Sequence, residues 1–206
     1  MIELNMAQFR TSRVFDVTFV LALAGLLLAG YLHKTAVNDW LFFRTYQPSA
    51  VATQTAKDAG LSVYGTRLFY RTDPQFVDLA TVNSKCSVEN LGCIDQKGRV
   101  YILNDLKQHD QSVVTAAHEM LHLAYRRLSE AEKDRIGPLL DRAIQSNATA
   151  ISDELRDQNT VADRRDEAYS LLGSEYFVMP STLEACYRQY FIDRTLVVAA
   201  SNRSRP

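Results

Sequence analysis

Two histidines stand four positions apart in Val114-Thr115-Ala116-Ala117-His118-Glu119-Met120-Leu121-His122, and this spacing constrains the fold more than any other stretch of the 206-residue chain. On an α-helix, side chains four apart share a face, so both imidazoles can reach one metal ion. Glu119, beside the first, is then placed to take a proton from water held by that ion. Val113, Val114, Ala117, Leu121 and Ala124 give the segment an apolar body, so the helix that carries the pair belongs inside the fold. The bland alternative is two buried histidines hydrogen-bonded to backbone.

A catalytic zinc ion takes three protein ligands and leaves a fourth position to water. The pair therefore needs a third donor from elsewhere. Leu128 stands six after His122, the position that supplies a third histidine in metzincins, His33 falls in an apolar run near the N-terminus, and His109, at the mouth of the helix, reads as a surface residue. With the 4 histidines of the chain accounted for, a carboxylate must complete the set.

Two candidates lie in Arg165-Asp166-Glu167-Ala168-Tyr169-Ser170-Leu171-Leu172-Gly173-Ser174-Glu175. With Glu167 at 0° on a helical wheel, Leu171 falls at about 40° and Leu172 at about 140°, so Glu167 borders the apolar face. Glu175, at about 80°, lies in the middle of that face unless Gly173 ends the helix and resets the phase. A carboxylate there is costly to bury unless it is paired or binds metal. Glu167 is the expected ligand, and Glu175 a ligand or a partner that orients a histidine ring. Glu154 and Asp163, set among polar neighbours, are weaker candidates. Stabilising a tetrahedral oxyanion needs one more donor, for which Tyr169, Tyr190 and Arg194 are available. Arg194 with Asp193 reads first as a salt bridge.

Strand signals come early in the chain. Residues 61–64, 67–71, 75–79 and 99–103 are short β-branched and aromatic stretches broken by Gly65, Thr72-Asp73-Pro74 and Gly98, and they predict a small antiparallel sheet. After about Asp110 the pattern is helical, with helices expected at 111–127, 130–147, 161–173 and 182–199. Ser129 with Glu132, Thr160 with Asp163 and Ser181 with Glu184 mark three of the starts. Gly137-Pro138 should kink or split the second helix. Strands first and helices second make the expected fold class α+β, with the domain at 61–200 and a disordered tail at 201–206. Cys86 and Cys93 are close enough to close a small loop as a disulfide, and Cys186 reads as a buried thiol.

Between Asp16 and Lys34 the chain carries 17 residues without a charge, rich in Leu, Val, Phe and Ala. That length suits a transmembrane helix of about 17–25 residues and exceeds the ~7–15 of a signal-peptide core. Ala22-Leu23-Ala24, a small-x-small site, lies inside the run, which argues against cleavage. Arg10 and Arg13 precede the run and Lys34 follows it, so the positive-inside bias makes residues 1–34 a cytoplasmic tail and anchor, with Tyr31 and Trp40 at the outer headgroups. Residues 35–60 then form a juxtamembrane linker and short helix, Ser49 to Ala59 being rich in Ala and Thr, and the protein is expected to be a single-pass cell-membrane protein with an extracytoplasmic domain. With 23 Lys and Arg against 24 Asp and Glu there is no basic excess, and nucleic acid is not an expected partner. The partners expected are a peptide or protein substrate and the membrane.

An H-E-x-x-H helix followed by a Glu on a later helix resembles the gluzincin branch of zinc metallopeptidases. More narrowly, Gly92-Cys93, Arg99-Val100-Tyr101-Ile102, the segment from Val114 to His122, the stretch from Glu167 to Glu175 and Tyr190-Phe191-Ile192-Asp193-Arg194 resemble an uncharacterised family of bacterial membrane-anchored metallopeptidase-like proteins. The resemblance covers about residues 86–197. It implies a zincin-like core in which the strand before the active-site helix, residues 99–103, lines the cleft and can pair with an extended substrate. It also implies His118, His122 and a Glu as ligands. Gluzincins often place Asp or another polar group soon after the ligand Glu, and Ser170 occupies that neighbourhood here. The expected activity is that of a zinc metalloendopeptidase with Glu119 as general base. The alternatives are a zinc-binding, non-catalytic envelope interaction module and a zinc amidase acting on cell-wall peptides.

Overall fold

A computed structural model describes residues 19–25, 27, 28, 30, 34–86, 91–95, 97–147, 151, 155, 158 and 160–205. The chain divides into two compact units, Met1–Gln47 and Pro48–Pro206. In the first, residues 19–25, 27, 28 and 30 are helical and α1 runs over Lys34–Phe43. Its aromatic residues make a local cluster, with Phe42 stacked on Tyr46 and the Arg44 guanidinium over the Trp40 ring.

Among the described residues, no helix is long and apolar enough to cross a membrane. Helix α1, of 10 residues, spans about 15 Å against a hydrocarbon core of about 30 Å, and it carries Lys34 and Asp39. The expected single-pass anchor, and the cell-membrane, extracytoplasmic placement built on it, are therefore corrected. Arg10, Arg13, Tyr31, His33 and Glu154 lie outside the described residues.

The second unit begins with helix, as expected for the short helix within 35–60 and against expectation at 61–71, where strands were read. Helix α2 (Ala50–Asp58) is capped by the Ser49 side chain and buries Ala52, Thr55 and Ala56, so its residues belong to the core rather than to a linker. Helix α3 (Val63–Arg71) covers both of the first two expected strands. Its N-cap Ser62 accepts from the Gly65 N–H, and Leu68 and Phe69 fall on one face to be buried. Helical placement of that face outweighs the strand preference of isolated β-branched and aromatic residues. Only Leu61 keeps a β-bridge, antiparallel to Phe191.

Strand β1 (Gln75–Val77) leads through α4 (Leu79–Lys85) to β2 (Gly92–Ile94) and β3 (Val100–Leu103). The order is β1-β3-β2, with β1 parallel and β2 antiparallel to β3. The sheet is thus small and mixed, not antiparallel, and the unit is mainly helical. The α+β fold class with a transmembrane helix is corrected accordingly. A Cys86–Cys93 disulfide ties the end of α4 to β2. Closing so short a loop stabilises the fold by roughly 2–3 kcal/mol.

After a short 3-10 turn come α5 (His109–Arg127), α6 (Glu130–Ser146), α7 (Val161–Glu175), α8 (Ser181–Tyr187) and α9 (Thr195–Ser204). Helix α5 is the spine, packing against α2, α3, α7, α9 and β3. Ser129 and Glu132 form the expected capping box, and Thr160 caps α7 through the Asp163 N–H. Residues 182–199 break into two helices because Tyr190–Ile192 turns back to meet the segment before α3: Ser62 N–H donates to the Tyr190 carbonyl and Ile192 N–H to that of Gly60. Helix α9 then continues to Ser204 with Ser201 buried, where a disordered tail was expected.

Helix α6 runs unbroken through Gly137-Pro138. Gly137 leaves room for the Arg165 guanidinium of α7, which makes a two-point bond to Asp141 at 3.0 and 2.6 Å. That bond holds the Asp141 carboxyl below its usual pKa. A depressed pKa contributes stability above the unfolded value, lost as pH falls through the folded one. Asp141→Asn is expected to cost about 0.5 kcal/mol at pH 7, since the pair is partly exposed, and the gap to wild type should close as the medium is acidified below about pH 4. Urea melts of both proteins across pH 3–7 check this, and a pH-independent gap contradicts it.

Candidate metal centre

Helices α5 and α7 are the closest-packed pair of the fold, and Gly173 explains why. A Cβ at 173 would stand 2.5 Å from Cδ1 of Leu121 and 2.6 Å from Cε1 of Tyr187, so only glycine lets α7 lie this near α5. The same fit carries α7 through Gly173 without a stop, which keeps Glu175 in phase with Glu167.

That approach brings His118, His122 and Glu167 together as a group that can hold a metal ion. Nε2 of His118 and Nε2 of His122 are 3.1 Å apart. Glu167 straddles them, Oε1 at 3.3 Å from the first nitrogen and Oε2 at 3.4 Å from the second. Ligand atoms about 2.0–2.1 Å from a tetrahedral ion are separated by about 3.3 Å, so these donors already have the spacing of one coordination sphere.

The outer nitrogens fix which lone pairs point inward. Nδ1 of His122 is 2.8 Å from Oδ1 of Asp166, and Nδ1 of His118 is 3.9 Å from Oε1 of Glu175, a charge contact rather than a hydrogen bond. With its Nδ1 bonded to Asp166, His122 directs its Nε2 toward His118 and Glu167. A cation between the two nitrogens and the carboxylate, whether a proton or a metal ion, satisfies all three. The titration of His122 expresses the same demand. Burial opposes its charged form, yet Asp166 and Glu167 at its two nitrogens, reinforced by Glu119, push its pKa up to about 10. Burial likewise opposes charge on Glu167, but the two histidines outweigh it and hold the carboxyl below the ordinary range. The donors therefore fit a metal ion, and the bland alternative of two histidines spent on backbone bonds does not describe them.

Glu119 lies between the histidines on α5 and is 8% exposed. Glu175 sits on the far side of His118 from Glu167, the position of a ring-orienting partner. Asp166 escapes the sequence reading because it reads as one more charge in Arg165-Asp166-Glu167. The usable signal is Arg126, one turn after His122, whose Nε donates to Asp166 Oδ2 at 3.2 Å. Ser170 donates to the Asp166 carbonyl, leaving it no part in orienting a ligand. His109 is at the surface, 2.9 Å from Asp58.

The three residues considered as oxyanion donors are placed otherwise. Tyr169 and Tyr190 are buried in an aromatic cluster with Tyr187, and burial raises the pKa of both. Arg194, 8% exposed, is spent: Nε and Nη2 donate to Glu184, and Nη1 donates to the carbonyls of Leu172, Gly173 and Tyr176 at the end of α7. The salt bridge expected of Arg194 is thus made, with Glu184 of α8, while Asp193 accepts from Thr195.

Strand β3, expected to pair with substrate, has β1 on one side and β2 on the other and so no free edge. Cavities of about 200 Å³ beside Tyr169 and Cys186 and of about 460 Å³ beside His109 and Arg203 do not include the histidine pair. Compared with family models, with curated proteins and with solved structures, the chain shows no match.

Proposed function

We propose that this chain is a zinc metallopeptidase, with His118, His122 and Glu167 as ligands and Glu119 as general base. The observation that carries the reading is the convergence of two Nε2 atoms and a carboxylate at 3.1–3.4 Å, with both outer nitrogens facing carboxylates. Two imidazoles and one carboxylate suit zinc better than the oxygen-seeking ions. A structural zinc site is closed by four protein ligands. Among the described residues this group has three members, which favours an open, catalytic site over a purely structural one.

When bound, the ion supplies a Lewis acid that polarises a carbonyl and lowers the pKa of water toward about 7. The chain supplies the rest. Glu119 accepts a proton from the attacking water on its carboxylate and returns it to the leaving nitrogen. Asp166 and Glu175 hold the two rings with their Nε2 atoms inward. Burial of Glu119 and His122 keeps bulk water from screening these charges.

The test is elemental analysis of the purified full-length protein beside Glu167→Ala and Glu175→Ala. Near one zinc per chain is expected in the wild type and a loss of stoichiometric zinc in Glu167→Ala. Glu175→Ala should retain zinc with affinity reduced about 10- to 100-fold. A folded wild type that takes up no zinc overturns the reading.

A further inference from the structure

The two histidines are supported by the same sequence of groups, assembled from different elements. His122 faces Asp166, which faces Arg126 of α5. His118 faces Glu175, which accepts from Arg205 at 3.0 Å, and Arg205 is the residue that caps the last helix of the chain. We propose that Arg205 is a positioning residue of the metal centre: by holding Glu175 against the outer nitrogen of His118, it makes the end of α9 part of the site. The inference rests on the metal-site reading above and adds to it a contribution from outside the α5–α7 pair.

Arg205 is not a loosely placed side chain. Helix α9 packs on both α5 and α7, burying Val197, Val198, Ala200 and Ser201, and the Arg205 N–H closes its last turn on the Ser201 carbonyl. The guanidinium lies 5.7 Å over the ring of Tyr176, the residue next to Glu175, so it is fixed by a second contact at the same corner. Glu175 is the last residue of α7, with no following turn of that helix to restrain its side chain. Its Oε2 is taken by Arg205 and its Oε1 faces His118. A partly exposed ion pair of this kind contributes little to stability. What it determines is the direction in which the carboxylate points, and thus which nitrogen of His118 is free for a metal. The neighbouring Arg203 has a different task, a two-point bond to Asp110 at the start of α5, and serves as the control.

The experiment compares full-length wild type, Arg205→Met, Arg205→Lys and Arg203→Met. It measures zinc affinity by competition with a chromophoric chelator, the visible absorption of the cobalt-loaded proteins, and the melting of the metal-free proteins. Arg205→Met is expected to bind zinc about tenfold more weakly and to shift the cobalt bands. Arg205→Lys should recover most of the affinity, and Arg203→Met should retain all of it. Metal-free melting temperatures should coincide for wild type and Arg205→Met. Wild-type zinc affinity and an unchanged cobalt spectrum in Arg205→Met overturn the inference while leaving the metal site standing. So does an affinity loss matched by a fall in metal-free melting temperature, which assigns Arg205 a role in folding alone. A wild type that binds neither ion overturns the metal reading, and this inference with it.

Discussion

Glu119→Gln is expected to lower peptide hydrolysis by roughly 100- to 10,000-fold, the usual worth of a general base, while zinc remains at one per chain. Glutamine keeps the volume and most of the hydrogen-bonding capacity of glutamate, so the packing of α5 is undisturbed. It cannot accept a proton from water near neutral pH. Glu119 is not one of the three donors, which is why the metal should stay. Its charge does help to draw positive charge to His122, so a modest weakening of metal binding is consistent with the role. Steady-state kinetics on a peptide substrate, with metal content measured on the same samples, decides the matter. Wild-type turnover in Glu119→Gln would remove it from the reaction, and loss of zinc would make it a support of the site instead.

Arg194→Met is expected to destabilise the metal-free protein by about 2–3 kcal/mol, the cost of leaving buried carbonyls without a donor, since Glu184 is itself partly exposed. The last carbonyls of any helix lack intrahelical partners. In α7 those of Leu172 and Gly173, with the Tyr176 carbonyl beyond the helix end, are served by one buried guanidinium that is itself neutralised by Glu184. Methionine fills much of the space and leaves those carbonyls without a donor, each costing about 1–3 kcal/mol if it stays buried. The urea midpoint of the variant reports the loss. A shift worth under about 1 kcal/mol would mean that water or backbone takes over the end of α7. A normal midpoint with a collapsed turnover would restore Arg194 to the reaction.

The site was more legible in the sequence than the fold around it. The pairing of His118 with His122 follows from a spacing that only a helix converts into a common face, and the approach of Glu167 from its place at the border of an apolar face. Both are local geometry, and local geometry is what a sequence carries most directly. Asp166 and Arg205 were not legible, since their roles exist only once α7 and α9 are laid against α5. The strand readings at 61–71 failed for a related reason. Short aromatic and β-branched runs are ambiguous, and what decides them is the Ser62 cap and the burial of Leu68 and Phe69 on one helical face. The sheet's mixed character was equally hidden, because the parallel pairing of β1 with β3 is set by α4 crossing between them.

The division of the donors between α5 and α7 also bears on kinetics. His122 and Asp166 are 44 residues apart, so the complete site arises only after the chain has closed a long loop. One helix alone offers an ion two imidazoles. A metal therefore adds little to the search for the native state and much to its persistence: it latches two helices that have already met, and it must leave before they can part. The lifetime of the folded protein, rather than the speed at which it forms, is the quantity that a metal ion bound there would set.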